Sequence, residues 1–176
     1  ISDYINVTVS ERLIKTINPE VGSAVEIDGQ FRSYNNYSSS GNRLILTVFA
    51  RDIVMHSGEN FKNPNYIYLN GFICKAPVYR ITPFGREITD LLIAVNRAYN
   101  KSDYMPCIAW GRNARFSGNL SVGDNIKIWG RIQSREYQKK ISEEETVTKT
   151  AFEISISKME VMQKEADGEQ PGSEIS

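Results

Sequence analysis

From Asn125 to Tyr137 the chain reads NIKIWGRIQSREY, in which Ile126, Ile128, Gly130 and Ile132 alternate with Lys127, Trp129, Arg131, Gln133, Arg135 and Tyr137. A period of two belongs to a β-strand, and it divides this one into an apolar face and a face of cations and aromatics. The same alternation runs through IYLNGFIC and TAFEISISKMEVM, while EITDLLIAVN is more continuously apolar, as in a strand covered on both faces. Between Cys74 and Glu87, Pro83 and Gly85 with their neighbours Thr82 and Arg86 predict a hairpin turn. RNARFSGNL breaks the alternation and predicts one short helix or coil, ended by Gly118 or Gly123. Residues 66–162 thus predict three strands, a short helix, a strand, a long polar loop and a last strand. Five strands with the helix between the third and fourth is the order of a Greek-key OB-fold barrel, an all-β architecture.

The front of the chain repeats part of this pattern. Ser2, Asp3 and Tyr4 match Ser102, Asp103 and Tyr104; Val21 and Gly22 match Val122 and Gly123; Gly29 and Ser33 match Gly130 and Ser134. In this first copy Val25, Ile27, Gly29 and Phe31 take the apolar face, and LILTVFARDIVM supplies the last strand. A tandem repeat is expected, with one short helix per copy. Residues 1–57 correspond to strands three to five of a first barrel, whose first two strands are expected upstream. Residues 58–65 form a linker, 66–162 a complete OB barrel, and 163–176, QKEADGEQPGSEIS, an acidic disordered tail.

Composition narrows the function classes. A chain of 176 residues that is 40% hydrophobic and 24% charged can bury a core. No apolar run approaches the roughly 20 residues of a membrane helix, and the opening residues, with Asp3 and strand-like alternation, do not read as a secretory leader. A cytoplasmic protein without membrane contact is expected. Cys74 and Cys107 lie in apolar stretches without a CxxC partner, and His56 is the only histidine, so reduced thiols and no metal or cofactor are expected. Nor does any nucleophile stand with a base at motif spacing, and no Gly-rich phosphate loop occurs, so no catalytic activity is expected. Glu143 to Glu145 read as a solvated charged run. Net charge is zero overall, yet residues 66–162 carry 14 basic and 10 acidic side chains, and residues 163–176 carry 1 and 4. A mildly cationic body with an acidic tail suits an anionic ligand.

The run IYLNGFICKAPVYRITPFGREITDLLIAVNRAYNKSDYMPCIAWGR, continued by VGDNIKIWGRIQSREY, resembles the bacterial single-stranded DNA-binding proteins. The likeness extends from Tyr66 to Met162 and rests on several motifs in one order: the strand ending at Gly71, the Pro77 to Pro83 segment with Arg80, AVNR, AWGR and the strand after VGD. The resemblance implies non-catalytic binding of single-stranded DNA in replication, recombination or repair, with bases stacked on aromatics and phosphates tracked by cations. Stacking suits any sequence because every base has a π face, and phosphate contacts weaken with salt. Carried over, the family's stacking positions fall on Tyr99, Tyr104, Trp110 and Tyr137. Its usual four-barrel assembly implies a homodimer of two-barrel subunits, with the strand face of Tyr68 and Asn70 as an available interface. Many members end in an acidic tail with a hydrophobic tip that recruits partners; PGSEIS departs from that pattern and puts such recruitment in doubt.

Trp129 shares a strand face with Arg131, Gln133 and Arg135, which leaves two readings, base stacking or the cap of a protein interface. The candidate phosphate contacts are Arg80, Arg86, Arg97, Lys101, Arg112, Arg131 and Arg135, with Lys139 and Lys140 expected in the loop between the last two strands. In the first copy Glu26, Asp28 and Gln30 replace Lys127, Trp129 and Arg131, and Ser10 stands where Trp110 stands. Carboxylates there would repel phosphate. Tyr4 and Tyr34 remain as stacking candidates, with Arg32 and Tyr37 beside them, so the first copy is expected to bind more weakly and to serve partly as a scaffold. The alternative function is an OB-type protein-interaction module that has lost DNA binding.

Overall fold

The computed structural model describes residues 3–38, 41–56 and 65–162, with side chains described outside 36–43. The expected linker, apart from Asn65, and the expected acidic tail lie outside the described residues, as does the side chain of Tyr37. The chain divides into two compact units, one of Ile1–Tyr66 with Ile132–Phe152, the other of Ile67–Arg131 with the residues from Glu153 onward.

The first unit is built from β1 (Val7–Thr8), α1 (Glu11–Ile17), β2 (Val25–Ser38) and β3 (Gly41–Met55). β3 lies between β1 and β2, parallel to the former and antiparallel to the latter. Ser10 caps α1 through its hydroxyl, which accepts the Leu13 N–H. Phe31, Leu46 and Ile53 are buried in this unit, whereas Glu26, Asp28 and Gln30 are exposed, as the alternation predicts.

The second unit contains β4 (Ile67–Ile73), β5 (Val78–Ile81), β6 (Glu87–Arg97), β7 (Lys101–Trp110), α2 (Gly111–Ser117) and the adjoining parts of β8 (Asn125–Lys140) and β9 (Thr146–Val161). Its strand order is β4, β8, β9, β7, β6, β5, and the additional β4–β6 pairing, Phe72 with Ala94 and Ile73 with Ile93, closes a five-stranded barrel. That ring is the predicted OB-fold. β5 is a short sixth strand paired outside it, on β6. Burial in β4 alternates without exception, Ile67, Leu69, Gly71 and Ile73 inward and Tyr68, Asn70 and Phe72 outward. Ile73, Ile93, Met105, Ile126, Ile128 and Ile154 fill the interior, each contributing about 1.5–3 kcal/mol by burial. The short helix forms where RNARFSG predicts it and stops at Gly118. Seven residues make a marginal helix alone; α2 is held from the barrel side, where the buried Thr89 hydroxyl donates to the Ala114 carbonyl at 2.7 Å.

The two copies share one register. Val7 pairs parallel with Val48 and Thr8 with Phe49; Cys107 pairs parallel with Ile154 and Ile108 with Ser155. Gly29 approaches the Phe49 carbonyl so closely that a Cβ would lie 2.1 Å from its oxygen, and Gly130 stands in the same relation to the Ser155 carbonyl. The sequence match of Gly29 to Gly130 therefore has a steric cause.

Two features differ from the sequence expectation. The long polar loop is a long strand pair with a short tip: β8 continues to Lys140, β9 begins at Thr146, and the Ile141 N–H donates to the Glu145 carbonyl at 2.9 Å. Lys139 and Lys140 consequently end a strand instead of lying in a loop. In addition, the two units part between Tyr66 and Ile67, next to the expected linker at 58–65, but this arm, Ile132–Phe152, belongs to the first unit and not with the rest of 66–162. Reciprocal polar pairs account for the difference. Within the first unit, the Asn65 amide donates to the Ile132 carbonyl at 2.6 Å and accepts from the Ile132 N–H at 2.8 Å. The Ser134 hydroxyl accepts the Tyr4 N–H at 3.1 Å, and the Ser134 N–H donates to Asp3 Oδ1 at 3.0 Å.

Burial raises both thiols above their ordinary pKa, Cys107 by desolvation and then by the Glu153 charge, Cys74 by desolvation. A neutral-pH alkylation pulse followed by mass mapping is expected to label half-buried Cys74 slowly in the native protein and Cys107 only on unfolding. Equal native rates would contradict this packing.

Candidate nucleic-acid interface

In the second unit the predicted residues gather on the outward face of β6 and β7. Antiparallel partners share a face, and the register pairs Tyr104 with Ala94, Pro106 with Leu92, Ile108 with Asp90 and Trp110 with Ile88. The opposite face carries Met105, Cys107 and Ala109 into the core. Tyr104 and Trp110 are therefore directed out of the barrel by strand parity, and Arg80, paired with Ile88 across β5, joins them. Tyr104 is exposed. Trp110 is half-buried, its indole N–H donating to the Ser155 hydroxyl at 3.3 Å, with the Arg86 guanidinium 4.6 Å from the ring centroid. That cation leaves the ring electrostatically engaged before any ligand arrives.

Tyr99 stands at the end of this face, in the turn between β6 and β7. It is 92% exposed and holds φ at +64°, with Asn100 beside it at +58°. A bulky side chain in the left-handed region costs roughly 1–2 kcal/mol, and such strain collects at functional sites. The turn is clamped: Arg97 Nε lies 2.9 Å from Oδ2 of the buried Asp103, an ion pair without hydrogen-bond alignment. Arg97, a candidate phosphate contact, is thereby engaged in holding the hairpin. Arg80 is similarly occupied, its Nε donating to Asp90 Oδ2 at 3.0 Å. Lys101 and Arg112 are exposed, and their side chains have no partner among the described residues. Arg131 is exposed as well.

Trp129 sits elsewhere, on the outward face of β4 and β8. It faces Tyr68 across the strand pair with ring centroids 5.2 Å apart, and Lys158 Nζ lies 4.8 Å from its ring. Its neighbours fit a packed aromatic–cation cluster and set it apart from Tyr104 and Trp110.

The remaining predicted residues fall in the first unit. Tyr4, 75% exposed, is fixed by its backbone to Ser134. Tyr34 is exposed on β2, and Arg135, Tyr137, Lys139 and Lys140 are exposed along the arm. Arg32 lies 5.1 Å from the Phe49 ring centroid and donates to Gln30. Asp28 and Asp52 stand directly opposite each other on β2 and β3, so the outward face here bears carboxylates, Glu26 where the second unit has Lys127 and Asp28 where it has Trp129.

Sequence reasoning missed the supports of the β5–β6 hairpin. Glu87 accepts from the Tyr79 hydroxyl at 2.5 Å and pairs with Arg115 on α2. The Tyr79 phenol is held above its ordinary pKa chiefly by that hydrogen bond to Glu87. Phe84, in the turn between the two strands, was also missed and is 93% exposed; a Phe between Pro and Gly, with no apolar periodicity around it, was the available signal. Among the described residues no group of His, Cys, Asp and Glu is arranged to hold a metal ion, and no helix is long and apolar enough to cross a membrane.

The profile of the single-strand binding protein family matches residues 64–162. The single-stranded DNA-binding protein of Clostridium tetani is 32% identical over 113 residues, covering 60% of this chain and 77% of that protein. Single-stranded DNA-binding protein A of Bacillus subtilis is 30% identical over 96 residues, 51% of this chain and 56% of the relative. Among solved structures, a deletion mutant of the single-stranded DNA binding protein from Thermus aquaticus superposes with a TM-score of 0.73 at 18% identity, over 90% of this chain and 70% of that one. This last likeness concerns the fold.

Proposed function

Because the chain belongs to the single-strand binding protein family, we propose that its second unit binds single-stranded DNA without sequence preference and without catalysis, in cytoplasmic replication, recombination or repair. The observation that carries this reading is the outward face of β6 and β7. Parity presents Tyr104 and Trp110 on it, a strained turn displays Tyr99 at its end, and Arg86 supplies positive charge over the Trp110 ring. Aromatic faces take bases and cations take phosphates, which is the division of labour in sequence-tolerant single-strand binding. The arm extends the same chemistry in the first unit through Tyr137, Lys139 and Lys140. Homo-oligomeric assembly belongs to this reading, with the exposed β4 side chains Tyr68 and Asn70 available for it.

Titration with oligo(dT) while following tryptophan fluorescence tests the proposal. Binding is expected to quench the indole signal, and log K is expected to fall with log salt at a slope of about −0.7 per phosphate neutralised. A complete protein that does not bind oligo(dT) at low salt would sink the reading and leave a protein-interaction module in its place.

A further inference from the structure

The turn joining β5 and β6 displays an aromatic side chain that the fold does not use. Thr82 and Arg86 close it twice, the Thr82 N–H donating to the Arg86 carbonyl at 2.8 Å and the Arg86 N–H to the Thr82 hydroxyl at 3.1 Å. The Gly85 N–H donates to the Thr82 carbonyl at 2.8 Å, with Gly85 at φ +81°. Phe84 is thus held at the tip of a tight, fully bonded turn, 93% exposed.

One exposed Phe on a surface needs no explanation, but the surroundings of this one are specific. Glu87, bonded to Tyr79 and Arg115, fastens the base of the hairpin to α2. The turn is therefore a fixed projection. Two residues beyond Phe84, Arg86 lies over the ring of Trp110, so ring, cation and ring follow one another from the sheet face to the hairpin tip. All four residues of β5 are exposed, among them Val78 and Ile81, which adds apolar surface beside the cations. The nearby carboxylates, Glu87 and Asp90, are each paired with an arginine, Arg115 and Arg80. No uncompensated negative charge of this hairpin opposes a phosphate.

We infer that Phe84 is an additional base-stacking position, continuing the path of single-stranded DNA from Trp110 past Arg86 onto the β5–β6 turn. The inference rests on the single-strand binding proposed above and adds a contact to it. An exposed aromatic on a fixed turn beside a cation is the pair that takes one base and its phosphate.

The test uses the complete chain and oligo(dT). Phe84→Ala is expected to weaken binding about tenfold with an unchanged salt slope, since no charge is removed, while Phe84→Tyr keeps a π face and retains the affinity. In Phe84→Trp the added, solvent-exposed indole is expected to be quenched by oligo(dT). Thermal melts should coincide for all three variants, because Phe84 is almost wholly exposed among the described residues. If the unaltered protein binds and Phe84→Ala binds equally well, this inference falls while the proposed function stands. Loss of self-association in Phe84→Ala with DNA affinity intact would overturn it in favour of a protein contact. If the unaltered protein fails to bind, both fall.

Discussion

Gly130→Ala is expected to destabilise the second unit by about 3 kcal/mol, a fall in melting temperature on the order of 15 °C for a domain of this size. The new Cβ would lie 2.1 Å from the Ser155 carbonyl oxygen and 3.2 Å from the Ile156 Cα, all backbone atoms that no rotamer change can move aside. Relief requires β8 and β9 to separate where Ile126, Ile128, Ile154 and Ile156 pack, so core burial is lost along with the ladder. Gly29→Ala meets the Phe49 carbonyl at the same distance and is expected to act alike on the first unit. Circular dichroism melts of the two variants measure both effects, and a Gly130→Ala melt superimposable on that of the unaltered protein would refute the packing at this crossing.

The second large effect is on ligand affinity. Tyr104→Ala is expected to weaken oligo(dT) binding by about 1–3 kcal/mol, the worth of one stacked base, or roughly 5- to 150-fold. Its ring is exposed on the β6–β7 face, and its backbone partner Ala94 is too small to cover it. Trp110→Phe is expected to remove the quenching signal while preserving most of the affinity, because a π face remains and only the hydrogen bond to Ser155 is lost. Tyr4→Ala should cost less than Tyr104→Ala. The first unit sets Glu26, Asp28 and Asp52 outward, Glu26 at the position of Lys127, and a phosphate brought there meets repulsion. Equal losses from the two tyrosine variants, measured by the same titration, would show that the carboxylates do not weaken the first unit.

The barrel was legible because its information is local. Parity alone sorts Ile126, Ile128 and Gly130 inward, and the Pro83–Gly85 turn forms where Pro and Gly place it. The match of Gly29 to Gly130 was readable as identity of residue; its cause, a carbonyl from another strand, became visible only with the register. The candidate site was legible in its aromatics but not in its charges. Arg80 and Arg97 look like free cations in sequence, yet Asp90 and Asp103 reach them across neighbouring strands. Which cation is neutralised depends on strand pairing, which no count of basic residues contains. The arm reads as a loop because SREYQKKISEEETVTK is polar apart from Tyr137, Ile141 and Val147, and a strand pair whose burial is slight has no hydrophobic alternation to announce it. Its attachment to the first unit rests on Asn65, Asp3 and Ser134, polar contacts with no periodic signature.

The bond from the Tyr4 N–H to the Ser134 hydroxyl closes a loop of 130 residues, and this bears on the order in which the molecule is made. Closure entropy grows only slowly with loop length, but contacts this distant in sequence form slowly during folding. During synthesis β1, β2 and β3 leave the ribosome before the second unit and must wait for nearly the whole of it to be translated before the arm arrives. The first unit, although begun before the second, is completed only when the arm has been made, and until then its polar edge groups are met by water.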